Sequence, residues 1–372
     1  MFLIKDKAKN KTELINKEII QEEIDDFENV KVFINWGKLK DLIEDDNITD
    51  IKCNSHTVWY KHVKKGTHKA NFNLEEEEIE QIAYQISNHE GSQFNHTSPS
   101  LKADYDDLRL QVQHNSICPS GINMTIRKTP FIQRIKPSQV EETGYCSNLL
   151  MSFFKEAVKE RMGVVAGGET GSGKTEFIKV LCSFIPDEQG IITIEDTSEL
   201  HLAILNPHRN IIELKLNDYF NFDNANNDSM RMDPDWVLLS EARGKEISKL
   251  IACRSEGHGI LTTLHLKNST SLVERIVNMY DPVDRPADYL IENMIYEYFD
   301  MCVHITCDIS KNATKRFIDE VTLYYRMKGI NTMATIYERN KKGETMYHTL
   351  PTYFKNIVSD ELLESWEKNV EK

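Results

Sequence analysis

Residues 168–175 read Gly-Glu-Thr-Gly-Ser-Gly-Lys-Thr, a loop of the form G-x-x-x-x-G-K-T. Each residue type in it has a use in phosphate chemistry. Gly168, Gly171 and Gly173 allow backbone conformations closed to residues with a Cβ, so successive N–H groups can turn inward around an anion. A helix starting directly after the loop adds the positive end of its dipole. Lys174 is expected to reach the β- and γ-phosphates of a nucleotide, and the Thr175 hydroxyl to ligate Mg²⁺. The expected cradle is Gly168, Glu169, Thr170, Gly171, Ser172, Gly173, Lys174, Thr175 and Glu176, with ATP and Mg²⁺ as its ligands.

Ligands of an open parallel sheet sit beyond the carboxyl ends of its strands. Two apolar runs end in acids. "GIITIEDTSE" leads through Ile191, Ile192 and Ile194 into Glu195 and Asp196, and "DWVLLSEARGKE" leads through Val237, Leu238 and Leu239 into Glu241. Both are expected to deliver a carboxylate toward the phosphates, where it can hold Mg²⁺ through water or orient the attacking water. The stretch "SEGHGILTTLH" adds two histidines. Read as a strand, it puts His258 and His265 on opposite faces and about 20 Å apart, so they do not share a metal. His265, at the carboxyl end, comes within reach of the γ-phosphate. His258 reads equally as a satisfied loop histidine and as a functional group.

The elements that would position these residues are legible from periodicity. "GVVA" is a short apolar strand before the loop. "KTEFIKVLCSFI" is a helix after it, with Phe177, Leu181 and Phe184 on one face and Pro186 at its end. From residue 145 onward, short apolar runs alternate with helical stretches, the pattern of a parallel α/β sheet. "RFIDEVTLYYRM" and "MATIYERN" read as antiparallel strands near the end of the chain, followed by a helix from about residue 358. Upstream, "ITDIKCN", "TVWYKHV", "LRLQVQ" and "INMTIRK" read as strands and "NLEEEEIEQIAYQI" as a helix with Asn73 as its N-cap. This mixed order suggests an α+β domain over residues 31–128. Residues 129–144 read as a linker and residues 1–30 as a charged arm.

Bulk composition limits the function classes. Of 372 residues, 40% are apolar and 28% charged, as in a soluble globular protein. No apolar run approaches the roughly 20 residues needed to cross a bilayer, and the start is not a secretory signal. A cytoplasmic protein is expected, with any membrane contact peripheral or through a partner. The net charge of −14 opposes loose binding to nucleic acid, and no basic-aromatic groove is evident in the sequence. Seven cysteines, with no C-x-x-C, argue for reduced, mostly buried thiols.

The ordered pieces "GGETGSGKT", "ITIEDTSEL", "DPDWVLLSEARGKE" and "GHGILTTLH" resemble the type II/type IV secretion ATPase family, the traffic ATPases of conjugation, secretion and type IV pili. The resemblance covers about residues 31–310. It implies a RecA-like P-loop ATPase domain, α/β in class, over residues 145–372 with a C-terminal extension, preceded by a smaller α+β N-terminal domain. It assigns Glu195 to an acidic box, Glu241 to the water-activating position followed by Arg243, and His265 to a histidine box. Arg109 and Arg127 match first-domain arginines expected to reach the phosphates. The implied protein is an ATP hydrolase working as a homo-oligomer, a hexamer, with inner-membrane secretion or pilus proteins as partners. "EARG" and the compact length look closer to the conjugation and Tad-type branches. Ser240 stands where the family has Gly, and Leu266 where it has Ala. A pilus assembly motor fits the same residues. A nucleic-acid translocase is opposed by the acidic charge, and a non-catalytic scaffold by the intact boxes.

Overall fold

The computed structural model describes residues 33–242, 244, 246–280, 285–309, 314–340 and 342–371. The charged arm and Arg243 lie outside the described residues. Two sheets organise the chain.

The first sheet has six antiparallel strands: β1 Ile48–Asn54, β2 Thr57–His62, β3 Gly66–Asn73, β4 Ser100–Tyr105, β5 Leu108–Gln113 and β6 Asn123–Lys128, in the order β3-β2-β1-β6-β5-β4. Its inner face is apolar at every second residue and packs on helix Glu76–His89 through Ile79, Ile82 and Ile86. That helix begins two residues later than the sequence suggests. Glu75, rather than Asn73, is the N-cap, and the Glu78 carboxylate accepts the Glu75 N–H at 2.9 Å. Leu74 just before the cap and Ile79 just inside are both buried, a hydrophobic staple. Strands β3 and β4 have no strong apolar signal in sequence. They form the two edges, where one face is solvated and few apolar residues are required.

Strand pairing gathers cations on the outer face. One row across the sheet runs Thr67, Lys61, Asp50, Arg127, Arg109, Asp104, and the next includes Lys69, Trp59 and Lys52. These residues are scattered between Asp50 and Arg127 in sequence, which is why no basic-aromatic surface is evident there; the register assembles one.

Residues 129–147 carry only the 3₁₀ turn Pro137–Gln139. The second sheet has nine strands: β7 Val164–Gly167, β8 Ile191–Glu195, β9 Ile211–Lys215, β10 Trp236–Leu239, β11 Gly259–Leu264, β12 Met301–Ile309, β13 Thr314–Met327, β14 Ile330–Arg339 and β15 Thr345–Tyr347. Their order is β15-β14-β13-β12-β7-β11-β10-β8-β9. The segment β12-β7-β11-β10-β8-β9 is parallel, and β7, β8, β10 and β11 are buried along their whole length, as expected of strands covered on both faces. Strands β13–β15 extend it antiparallel, and helix Asp360–Val370 closes the core by packing Trp366 against Phe153 and Tyr347. The seven cysteines are free thiols, five of them buried.

A buried polar network joins β12 and β13 to the segment after β11. Nδ1 of His304 lies 2.8 Å from Asp319 Oδ1, and Nε2 lies 3.2 Å from the Leu266 carbonyl. Both partners only accept, so the imidazole carries both protons and is a cation. Burial pushes its pKa down, but the hydrogen bond and charge of Asp319, the Leu266 carbonyl and the nearby Glu320 more than offset this, and the net direction is upward. The ion pair therefore stabilises the fold fully below the ordinary histidine range near pH 6.5, and its contribution is lost as pH rises through the raised folded pKa. Melting curves from pH 6 to 9 should fall along that limb. Asp319→Asn should cost roughly 2 kcal/mol at pH 6, the scale of one hydrogen bond to a charged group, and flatten the limb; an unchanged melting temperature with the same slope would contradict the pairing.

Candidate active site

Parallel register lines up the strand ends. Gly167, the last residue of β7, sits between Leu264 of β11 and His304 of β12. His265 therefore emerges beside Gly168, where the glycine loop starts. Leu239 of β10 sits level with Thr262 of β11 and Ile194 of β8. Glu241 and Asp196 consequently leave the sheet on the same side.

The loop needs its glycines. Gly168, Gly171 and Gly173 have φ of +145°, +79° and +99°. A Cβ at Gly168 would lie 2.4 Å from the Ile305 carbonyl oxygen and 2.6 Å from Ser172 Oγ. Helix Lys174–Cys182 then begins with Gly173 as its N-cap. Lys174 Nζ donates to the carbonyls of Gly168 and Glu169, at 3.1 and 3.0 Å, and to Nδ1 of His265 at 3.4 Å. An ammonium has only donors, so Nδ1 accepts and the proton of a neutral imidazole sits on Nε2. That Nε2 lies 3.0 Å from Glu241 Oε1. Ammonium, imidazole and carboxylate thus form one chain across the ends of β7, β11 and β10. Burial lowers the Lys174 pKa, opposed by Glu241 and Glu199.

Thr175 Oγ1 donates to Glu199 Oε2 at 3.0 Å, which leaves its oxygen lone pairs open to a cation. Oxygen donors of this kind, Thr175 with the carboxylates of Glu199, Asp196 and Glu241 on one cavity wall, suit Mg²⁺. Among the described residues, no three His, Cys, Asp or Glu side chains converge as a closed cage for a metal would require.

These residues face the outer surface of the first sheet across a cavity of about 850 Å³. Of the residues expected from sequence, Thr170, Gly171, Gly173, Lys174, Thr175, Glu176, Glu241, His265 and Arg127 line it. Gly168, Glu169 and Ser172 shape the loop from behind. Arg127 is held by Asp50, Nε to Oδ1 at 3.2 Å. Arg109 stands across the strand from Arg127 but does not reach the cavity wall. His258 is a satisfied loop histidine, Nδ1 donating to the Pro234 carbonyl at 2.6 Å.

Glu195 is not on the cavity wall. Its side chain follows Thr193 to the face of β8 opposite Ile194, where it is buried, and Oε2 accepts the N–H groups of Glu199 and Leu200 at 2.9 and 3.1 Å. The carboxylate thus folds residues 196–200 back over the strand end and brings Glu199 to Thr175. Glu199 lies four positions beyond the acid that sequence singles out, and nothing in the spacing reveals the re-entrant loop. Arg134, Arg316 and Lys61, which also line the cavity, carry no motif either.

Burial raises the Glu195 pKa from 4.5 to about 7, against the two backbone bonds that lower it. For an acid with a raised folded pKa, stability falls as pH rises between the two values. Glu195→Gln, which keeps one acceptor for the two amides, should abolish that fall between about pH 4.5 and 7. Glu195→Ala should instead lose the loop and, with it, Glu199 at Thr175. Identical pH-stability curves for wild type and Glu195→Gln would contradict this placement.

The family model for type II/IV secretion system proteins matches residues 101–356, well over half of the chain. An uncharacterised Bacillus anthracis protein is 26% identical over 96% of this chain and 86% of its own. The type IV secretion system protein VirB11 of Brucella suis is 28% identical over 76% of this chain and 87% of its own. Among solved structures, the Yersinia pseudotuberculosis ATPase DotB superposes with a TM-score of 0.58 at 17% identity, over 78% of this chain and 79% of that one. The pilus retraction motor PilT with bound ADP gives 0.55 at 16% identity, over 90% and 89%. These likenesses are of fold, a smaller α+β N-terminal domain ahead of a RecA-like α/β domain. No helix among the described residues is long and apolar enough to cross a membrane. With its family model matched from β4 of the first sheet through the whole of the second, the chain belongs to the type II/IV secretion system protein family.

Proposed function

We propose that this chain is a traffic ATPase that hydrolyses Mg-ATP in the cleft between its two sheets and turns the loss of the γ-phosphate into movement of one domain against the other. The observation that carries the reading is the chain from Lys174 through His265 to Glu241, next to a glycine loop whose Thr170, Gly171, Gly173 and Thr175 line the same cavity. Mg²⁺, held by Thr175 with Glu199 and Glu241, would neutralise charge on the phosphate oxygens.

The protein's own groups do the rest. The amides of residues 168–175 and Lys174 bind the β- and γ-phosphates. Glu241 accepts the proton of the attacking water, and His265 holds its carboxylate in place through Nε2–H. When a γ-phosphate oxygen draws Lys174 away from the imidazole, Nδ1 loses its donor, so occupancy of the site is felt at His265 and, through Nε2–H, at Glu241. Arg127 exchanges Asp50 for the γ-phosphate and ties the first domain to the nucleotide. Arg109, one strand further, supports that field, and Arg243, two positions after Glu241 in sequence, takes the role that the family resemblance gives it. Residues 129–144 serve as the linker about which the domains swing.

The family's motor role suggests a homo-oligomer, a hexameric ring, at the cytoplasmic face of a membrane machine. Conjugation or protein secretion is favoured by the VirB11 relative, and a pilus motor is the other reading. The −14 net charge weighs against a nucleic-acid translocase; turnover stimulated by DNA would support one.

In steady-state ATPase assays, Lys174→Ala and Glu241→Gln should each lose a hundredfold or more in rate, roughly the scale of a lost general base. Normal turnover in both would refute the reading. Arg127→Ala should lower hydrolysis by about tenfold while sparing nucleotide binding, and unchanged turnover there would remove the first domain from the reaction.

A further inference from the structure

We propose that Lys61 of β2 is a further polyphosphate-binding cation, held over the apex of the glycine loop by Arg316. The proposal rests on the triphosphate reading above. Lys61 lies on the outer face of the first sheet and lines the cavity with Thr170, Gly171 and Lys174. Its Nζ would stand 3.3 Å from a Cβ built on Gly171, so the ammonium rests directly against the loop apex. Asp50, its neighbour across the strand, is engaged by Arg127 and by the Thr49 hydroxyl at 2.8 Å. Lys61 forms no ion pair among the described residues.

Its position is fixed from the other side. Two residues on, the Val63 carbonyl accepts Nη1 of Arg316 at 3.2 Å, and the Lys64 carbonyl accepts the Thr314 N–H at 2.7 Å. Nε of the same Arg316 donates to the Gly171 carbonyl at 3.0 Å. One guanidinium therefore bridges the β2–β3 turn and the loop apex. A rigid fork suits that bridging task, whereas a point charge on a flexible four-carbon stem suits contact with phosphate oxygens that change during a reaction. Lys61 acts on the ligand, and Arg316 is a positioning residue acting through Lys61.

Calorimetric titration of the full chain with Mg-ATP and with Mg-tripolyphosphate tests this. Lys61→Met keeps the apolar stem and removes the charge. It should weaken both ligands by about tenfold, the scale of one charged hydrogen bond, with Lys61→Arg restoring most of the loss and the salt dependence of binding flattened. Arg316→Ala should weaken both ligands as well, and Lys61→Met/Arg316→Ala should lose less than the two single losses combined. Full additivity would make Arg316 independent of Lys61 and overturn the positioning half. If Lys174→Ala abolishes binding while Lys61→Met binds both ligands like wild type, the Lys61 proposal falls alone. If Lys174→Ala also binds like wild type, the triphosphate reading falls with it.

Discussion

The second domain's wall of the cleft depends on one constraint, the parallel register that levels the ends of β7, β11 and β10. It brings a lysine, a histidine and a glutamate from three distant stretches of sequence into a line. The order of donors and acceptors in that line is forced. An ammonium cannot accept, so the imidazole must accept from it and offer its other nitrogen to the carboxylate. A change at the lysine end is therefore felt at the glutamate end without any backbone movement. The cationic His304, holding the carbonyl of Leu266 next to His265, keeps the middle member from drifting.

The other wall of the cleft follows a different rule. Antiparallel pairing places residues directly opposite one another, and one row carries Lys61, Asp50, Arg127, Arg109 and Asp104 side by side. Two arginines facing each other repel. Asp50 offsets this by binding Arg127, while Asp104 reaches away from the row to Lys215 of β9 at 2.7 Å. The row thus links the first sheet to the far edge of the second. Near the glycine loop, the link is made by Arg316 and by the backbone of Arg134, which donates to Glu176 at 2.9 Å. The cleft is held at both ends by polar contacts and lined between them by cations. Such an arrangement can open and close at modest cost, and an anion strengthens it.

The sequence is most informative where a backbone constraint needs particular residues. The glycine loop, its flanking strand and helix, and the four-strand parallel core are visible because glycine at positive φ and fully buried strands leave few substitutes. The first sheet is half visible: β1, β2, β5 and β6 alternate clearly, while the edge strands β3 and β4 do not, because an edge buries little. The site is legible as far as periodicity goes and no further. Glu195 ends an apolar run and so looks like the active carboxylate, but the two-residue period of β8 turns it into the fold, and Glu199 arrives through a loop that Glu195 itself caps. Arg316 and Lys61 meet the glycine loop only because a hairpin and a sheet converge on it from outside, and no local pattern encodes that.

The most direct test of the relay is the rate of a single turnover of bound ATP with His265→Gln in excess over nucleotide. If the imidazole orders Glu241, the chemical step should slow nearly as much as it does in Glu241→Gln, while ATP affinity shifts far less. A His265→Gln protein that cleaves its bound ATP at the wild-type rate would contradict the account.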